Sequence, residues 1–141
     1  MKREHALAVG ARTAEQAKRV IGSATARHGE QDAEIRGRDL ATGLPRTAVV
    51  TPAEIRRAMH EQLEDLVDAV TTTLDRTPPE LAADIMDKGI VLTGGGSRLA
   101  GIDELLRRVT GMPVHLVAEP EASVAIGASR YLEEVRGRLS A

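Results

Sequence analysis

The chain has 141 residues, 42% of them hydrophobic and 28% charged, with a formal net charge of -2; this suits one water-soluble domain or two small lobes and does not suggest a duplex-binding surface. A single tyrosine, with no phenylalanine or tryptophan, leaves the core to aliphatic side chains and removes the aromatic platforms that stack single-stranded nucleic acid. No cysteine is present, which excludes a disulfide frame and a thiolate metal site, and no apolar run approaches the roughly 18–20 residues of a membrane span.

The opening "MKREHALAVGARTAEQ" has no apolar core of a signal peptide. It reads as helix interior without a cap, so the chain is expected to be part of a longer protein. Residues 2–9 predict a short helix that turns at Gly10. In "RTAEQAKRVIGSA", Thr13 and Gln16 have the spacing of a capping box. Ala14, Ala17, Val20 and Ile21 then form one apolar face, and Gly22 ends the helix. "SATARHGEQD" reads as a loop. "AEIRGRDL" and "RTAVV" follow as two short strands joined by "ATGLP", a hairpin with Ile35 on the dry face and Arg36 on the wet one.

A sharper signal opens the next helix. Thr51 is placed as N-cap, Pro52 at the first helical position and Glu54 as the capping-box partner. Ile55, Met59, Leu63, Leu66, Val70 and Leu74 continue as one long apolar stripe. "TPPE" repeats the device, with Thr77 and Glu80 opening a short helix to about Met86. The period then changes. "GIVLT" predicts a strand buried on both faces, followed by Gly94, Gly95 and Gly96. A helix with Ile102, Leu105, Leu106 and Val109 inward is closed by Gly111. "MPVHLV" is a second strand, and the alternation implies a parallel pair with a right-handed crossover. The last helix has Val124, Ile126 or Gly127, Tyr131 and Val135 among its packing positions.

Three glycines between a strand and a helix suit a nucleotide site, because a backbone without Cβ can be touched by a ligand. They suit a sharp chain reversal equally well. "TGGGSRLAG" is not a phosphate-loop sequence, since no Lys-Ser or Lys-Thr follows, and Leu99 stands where the dinucleotide fingerprint needs glycine. Both readings stay open on spacing alone. Glu15 and Lys18 share one helix face. They form either a solvated ion pair worth a few tenths of a kcal/mol or a carboxylate and an ammonium group that receive a polar ligand such as a ribose. His5, His28, His60 and His115 show no metal-ligand spacing. Asp84, Asp87 and Asp103 form no carboxylate pair, and no nucleophile elbow is present.

Taken together, "TAEQAKR" with "IGSA", "EIRGRDLATGLPR" and "PPELAADIMDKGIVLTGGGSRLAGIDELLRRVTGMPV" closely resemble the bacterial actin homologue MreB family of rod shape-determining proteins, in register from about Lys2 to Glu134. The resemblance implies an α/β, actin-like (ribonuclease H-like) ATPase lobe, present in part: a mixed sheet with flanking helices plus a small hairpin-bearing subdomain. Residues 1–50 would be the outer small subdomain of the second lobe, and 51–141 the closing half of its inner subdomain.

Carried over by position, Glu15 and Lys18 match the family's adenosine-contacting Glu-x-x-Lys, and Gly94, Gly95, Gly96 and Ser97 match its adenosine motif. Ala11 departs from the glutamate that often follows the glycine. The family's cofactor is ATP or ADP with Mg2+. Its two phosphate loops, catalytic carboxylate and metal-organising aspartate have no counterpart in these residues. No catalytic residue and no metal ligand is therefore assigned, and nucleotide binding by this chain alone is expected to be weak or absent. Implied partners are further copies, full-length actin homologues in a filament, and the cell-wall synthesis machinery, with no nucleic acid. The implied location is the cytoplasm, with membrane association through partners. The competing reading is a truncated stand-alone paralogue, a non-catalytic interaction module for full-length actin homologues.

Overall fold

A computed structural model of the chain describes residues 2–139. The elements in order are α1 (Lys2–His5), β1 (Leu7–Ala8), α2 (Ala11–Ile21), β2 (Ala33–Asp39), β3 (Pro45–Val50), α3 (Pro52–Asp75), α4 (Pro79–Lys88), β4 (Ile90–Leu92), a 3-10 turn (Gly95–Arg98), α5 (Ile102–Thr110), β5 (Val114–Leu116) and α6 (Ser123–Leu139). They build two small sheets. One is antiparallel, in the order β1-β2-β3, and the other is a parallel pair, β4 with β5.

The hairpin forms as its alternation requires. Ile35 pairs with Ala48 and Arg36 with Thr47, and Ile35 is buried while Arg36 faces water. The first sheet gains a strand that sequence reasoning missed: Leu7 and Ala8 are not helical but pair with Asp39 and Arg38. Leu7 is fully buried there.

Helix α2 begins at Ala11 with Gly10 as N-cap and no side-chain cap bond, so Thr13 lies within the helix and forms no capping box. The inward face also differs from the expected one. Ala17 is buried with Ile21 against it, whereas Val20 is 69% exposed. Helix α3 starts as its sequence dictates. The Thr51 N–H donates to Glu54 Oε2 at 2.7 Å, and the Glu54 N–H donates to Thr51 Oγ1 at 3.2 Å. Thr77, by contrast, caps nothing. Pro78 is the N-cap of α4, and the Thr77 hydroxyl donates back to the Thr73 carbonyl at 2.8 Å.

Two apolar cores lie along α3. The first gathers Ala17, Ile35, Val50 and Ile55, with Met59 packed against it. The second gathers Ala24, Ile102, Leu106 and Val114, with Leu63, Val67 and Val70 of α3 packed on it. The stripe therefore runs through Val67, and Leu66 turns outward. The parallel pair is covered on one face only: Ile90 and Leu92 enter the second core, while Val91 and Leu116 are exposed. The expected burial of β4 on both faces does not occur, because α5 packs on a single side. Val109 is likewise turned outward, as are Val124 and Tyr131 of α6, a helix that gives neither core any of its described side chains. The chain exposes 10280 Å², where a compact monomer of this mass exposes about 7,100 Å².

Candidate adenosine-binding cleft

The segment after α2 joins the two cores. Gly22 ends the helix, with its N–H donating to the Lys18 carbonyl at 2.9 Å. Ser23 then bridges to Ala100 in parallel, and the Ala24 N–H donates to the Ala100 carbonyl at 2.7 Å. This contact sets α2 beside the glycine turn. Between them opens a cleft of about 1170 Å³ lined by Glu15, Lys18, Gly95 and Gly96, among others. Two motifs roughly 80 residues apart in the chain thus face one space.

Glu15 Oε2 lies 2.7 Å from Lys18 Nζ, and its Oε1 lies 3.2 Å from Arg19 Nε. The ammonium group of Lys18, followed by the Arg19 guanidinium, holds the Glu15 carboxyl below its ordinary range. Glu15 therefore stays an anion, able to accept from hydroxyl groups, with a donor beside it.

The glycines divide into two kinds. Gly94 has φ +79, a backbone that an L side chain rarely adopts, so this glycine serves the turn. Its N–H donates to the Pro120 carbonyl at 2.6 Å, and Ser97, which is buried, donates its hydroxyl to the Gly94 carbonyl at 2.6 Å. Gly94 and Ser97 shape the reversal and are not part of the cleft wall. Gly95 and Gly96 differ. A Cβ on Gly96 would meet nothing within 4 Å, and one on Gly95 would make only ordinary contact with Glu121. The chain's own packing does not require glycine at either place, so a bare backbone faces the cleft.

Several residues of the cleft carry no recognisable motif. The 23–32 segment is anchored rather than loose. Ser23 donates to Glu30 Oε1 at 3.0 Å, Arg56 of α3 donates to Ser23 Oγ at 2.9 Å, and Arg56 also forms an ion pair with Glu30. That guanidinium holds the Glu30 carboxyl below its ordinary range. Arg98 and Glu121, which both line the cleft, pair at 3.2 Å. No local pattern announces these contacts: the two made by Arg56 and the Arg98–Glu121 pair join segments far apart in sequence.

The residues suit a nucleoside: a carboxylate and an ammonium group for the hydroxyls, and bare backbone for a flat base. They do not assemble a metal site. Among the described residues, three of the four cleft carboxylates, Glu15, Glu30 and Glu121, are each engaged by a cation, and the fourth, Asp32, belongs to no group of three ligand atoms that could hold an ion. The grouping Glu4, His5 and Glu54, whose ligand atoms lie within 4.8 Å of one another, is not part of the cleft lining.

This architecture is that of part of an actin-like domain. It superposes on MreB 5 of Spiroplasma citri, solved bound to AMPPNP, with a TM-score of 0.92 at 32% identity, covering 99% of this chain and 42% of that one. Residues 1–139 match the MreB/Mbl protein family, and the chain belongs to it. The cell shape-determining protein Mbl of Bacillus cereus is 44% identical over 135 residues, which is 96% of this chain and 40% of Mbl. A MamK double helical filament has the same fold, with a TM-score of 0.72 at 26% identity over 94% of this chain and 40% of the MamK chain. The chain thus spans about 40% of the length of the curated relatives it matches. Among the described residues, no helix is long and apolar enough to cross a membrane.

Proposed function

We propose that this chain is the C-terminal part, within the second lobe, of an MreB-type, ATP-dependent filament protein that determines bacterial cell shape. Residues 1–50 form the outer small subdomain, and 51–141 the closing half of the inner one. The chain supplies the adenosine wall of the site, while the phosphate loops and the Mg2+ site belong to the rest of such a protein. When bound, the nucleotide brings the hydrolysable phosphate bond. This chain's residues hold the nucleoside: Glu15 accepts from the ribose hydroxyls, Lys18 donates beside it, and Gly95 and Gly96 let the base lie against backbone. On its own the chain hydrolyses nothing. Its partners are further copies or full-length actin homologues in a filament, and through them the cell-wall synthesis machinery.

The observation that carries this reading is the meeting of Glu15 and Lys18 with Gly95 and Gly96 on one cleft. Amide chemical-shift mapping with millimolar adenosine tests it. The expected result is saturable shifts at Glu15, Lys18, Gly95 and Gly96, abolished in Glu15→Ala. Shifts confined to another face, or none, refute the adenosine wall. Calorimetry with ATP and magnesium is expected to show no tighter binding than adenosine, and a micromolar, metal-dependent affinity would overturn the division of labour.

The exposed apolar side chains of β4, β5 and α6 favour a second reading, a non-catalytic interaction module for full-length actin homologues. It predicts co-sedimentation of the chain with such filaments without ATPase activity, and failure to associate would exclude it.

A further inference from the structure

The Arg98–Glu121 pair has no role in holding either core, because both side chains are more than half exposed. Its position is informative. The nearest heavy atoms to a Cβ built on Gly95 are Glu121 Oε1 at 3.7 Å and Glu121 Cγ at 3.8 Å. Any flat group resting on the bare face of Gly95 therefore lies against the Glu121 carboxylate. Both Arg98 and Glu121 line the same cleft as Glu15 and Lys18. The carboxylate meets Arg98 Nε through Oε1, which leaves Oε2 for a ligand's donor.

We infer that Glu121 and Arg98 are specificity-determining residues that read the edge of the base seated on Gly95 and Gly96, and that they select a 6-aminopurine. An acceptor beside a donor is the complement of an amino group beside a ring nitrogen. The 6-amino group of adenine donates to Glu121, and the adjacent ring nitrogen accepts from Arg98. In the same register a carbonyl at that position, as in hypoxanthine, sets oxygen against the carboxylate and the ring N–H against the guanidinium, and is disfavoured. This inference rests on the adenosine-wall reading and refines it by naming what distinguishes one nucleoside from another.

The test compares adenosine, purine riboside (which lacks the 6-amino group) and inosine by chemical-shift titration of the full 141-residue chain, Glu121→Leu and Arg98→Leu. In the parent chain, adenosine is expected to bind about fivefold more tightly than purine riboside, the net worth of one hydrogen bond, with inosine weakest. Glu121→Leu is expected to equalise adenosine and purine riboside. Glu121→Gln, whose amide oxygen still accepts, is expected to restore part of the preference. A loss of structure would move all three ligands together, so the ratio is the readout. If all three nucleosides bind through Glu15 but Glu121→Leu leaves the ratio unmoved, the base-reading role is wrong and the adenosine wall stands. If no nucleoside binds at all, both are wrong.

Discussion

Gly101→Ala probes the joint between the two cores. Gly101 sits in the left-handed region at φ +75 and ψ 7, where alanine costs about 1–2 kcal/mol. A Cβ there would stand 2.3 Å from Thr25 Oγ1 and 3.2 Å from the Thr25 nitrogen, so Thr25 must move by about an ångström. That movement breaks the 2.9 Å bond from the Thr25 hydroxyl to Glu104, worth about 1 kcal/mol. The summed loss is about 2–3 kcal/mol, which urea unfolding followed by circular dichroism measures directly. Thr25→Ala removes the hydroxyl and with it the 2.3 Å clash, leaving the milder 3.2 Å approach to the nitrogen. The double variant Gly101→Ala/Thr25→Ala should therefore lose about 1 kcal/mol less than the sum of the single variants. A loss below about 0.5 kcal/mol for Gly101→Ala, the range of an ordinary surface change, or strict additivity in the double variant, would refute the reasoning.

Thr51→Ala removes one half of the capping box of α3 and should lower stability by about 1 kcal/mol, read as a shifted urea midpoint with an unchanged slope. A pH dependence follows from Glu54. Hydrogen bonds from Thr51, helped by His5, hold its carboxyl below the ordinary value of 4.5. Its stabilising contribution is present in full above pH 4.5 and is lost as pH falls through the lower folded value. Glu54→Gln should lower stability at pH 7 and flatten the decline on acidification; an acid limb as steep as the parent's would assign that decline to other carboxylates.

Local chemistry explains which elements were legible. Thr51, Pro52 and Glu54 cap α3 through atoms within one turn, so their pattern is self-sufficient. Thr13 and Gln16 have the same spacing, but Gly10 already supplies the extended N-cap, and a local signal lost to an adjacent one. The two-residue strand Leu7–Ala8 exists only because β2 offers Arg38 and Asp39 as partners, and no period can be read from two residues. The apolar run of β4 implied two covered faces, yet the number of layers is a property of the whole fold. Val91 shows that only one is covered by this chain. The cleft followed the same rule. Glu15, Lys18 and the glycines were readable as residue types in motifs. That they share a space depends on the contact of Ser23 with Ala100, and Glu121 becomes visible only through its distance to Gly95.

One feature of α3 bears on how the cleft works. A helix of 24 residues is about 36 Å long, and it carries one core near its start and the other from Leu63 onward. The cleft walls belong to different cores, since α2 is seated in the first and the glycine turn adjoins the second. The molecule therefore resembles a caliper, with α3 as its spine, the Ser23–Ala100 contact as its pivot, and α2 and the glycine turn as its jaws. A ligand between the jaws that favoured one angle between the two cores would, by the reciprocity of linked equilibria, be held more tightly by anything outside that favoured the same angle.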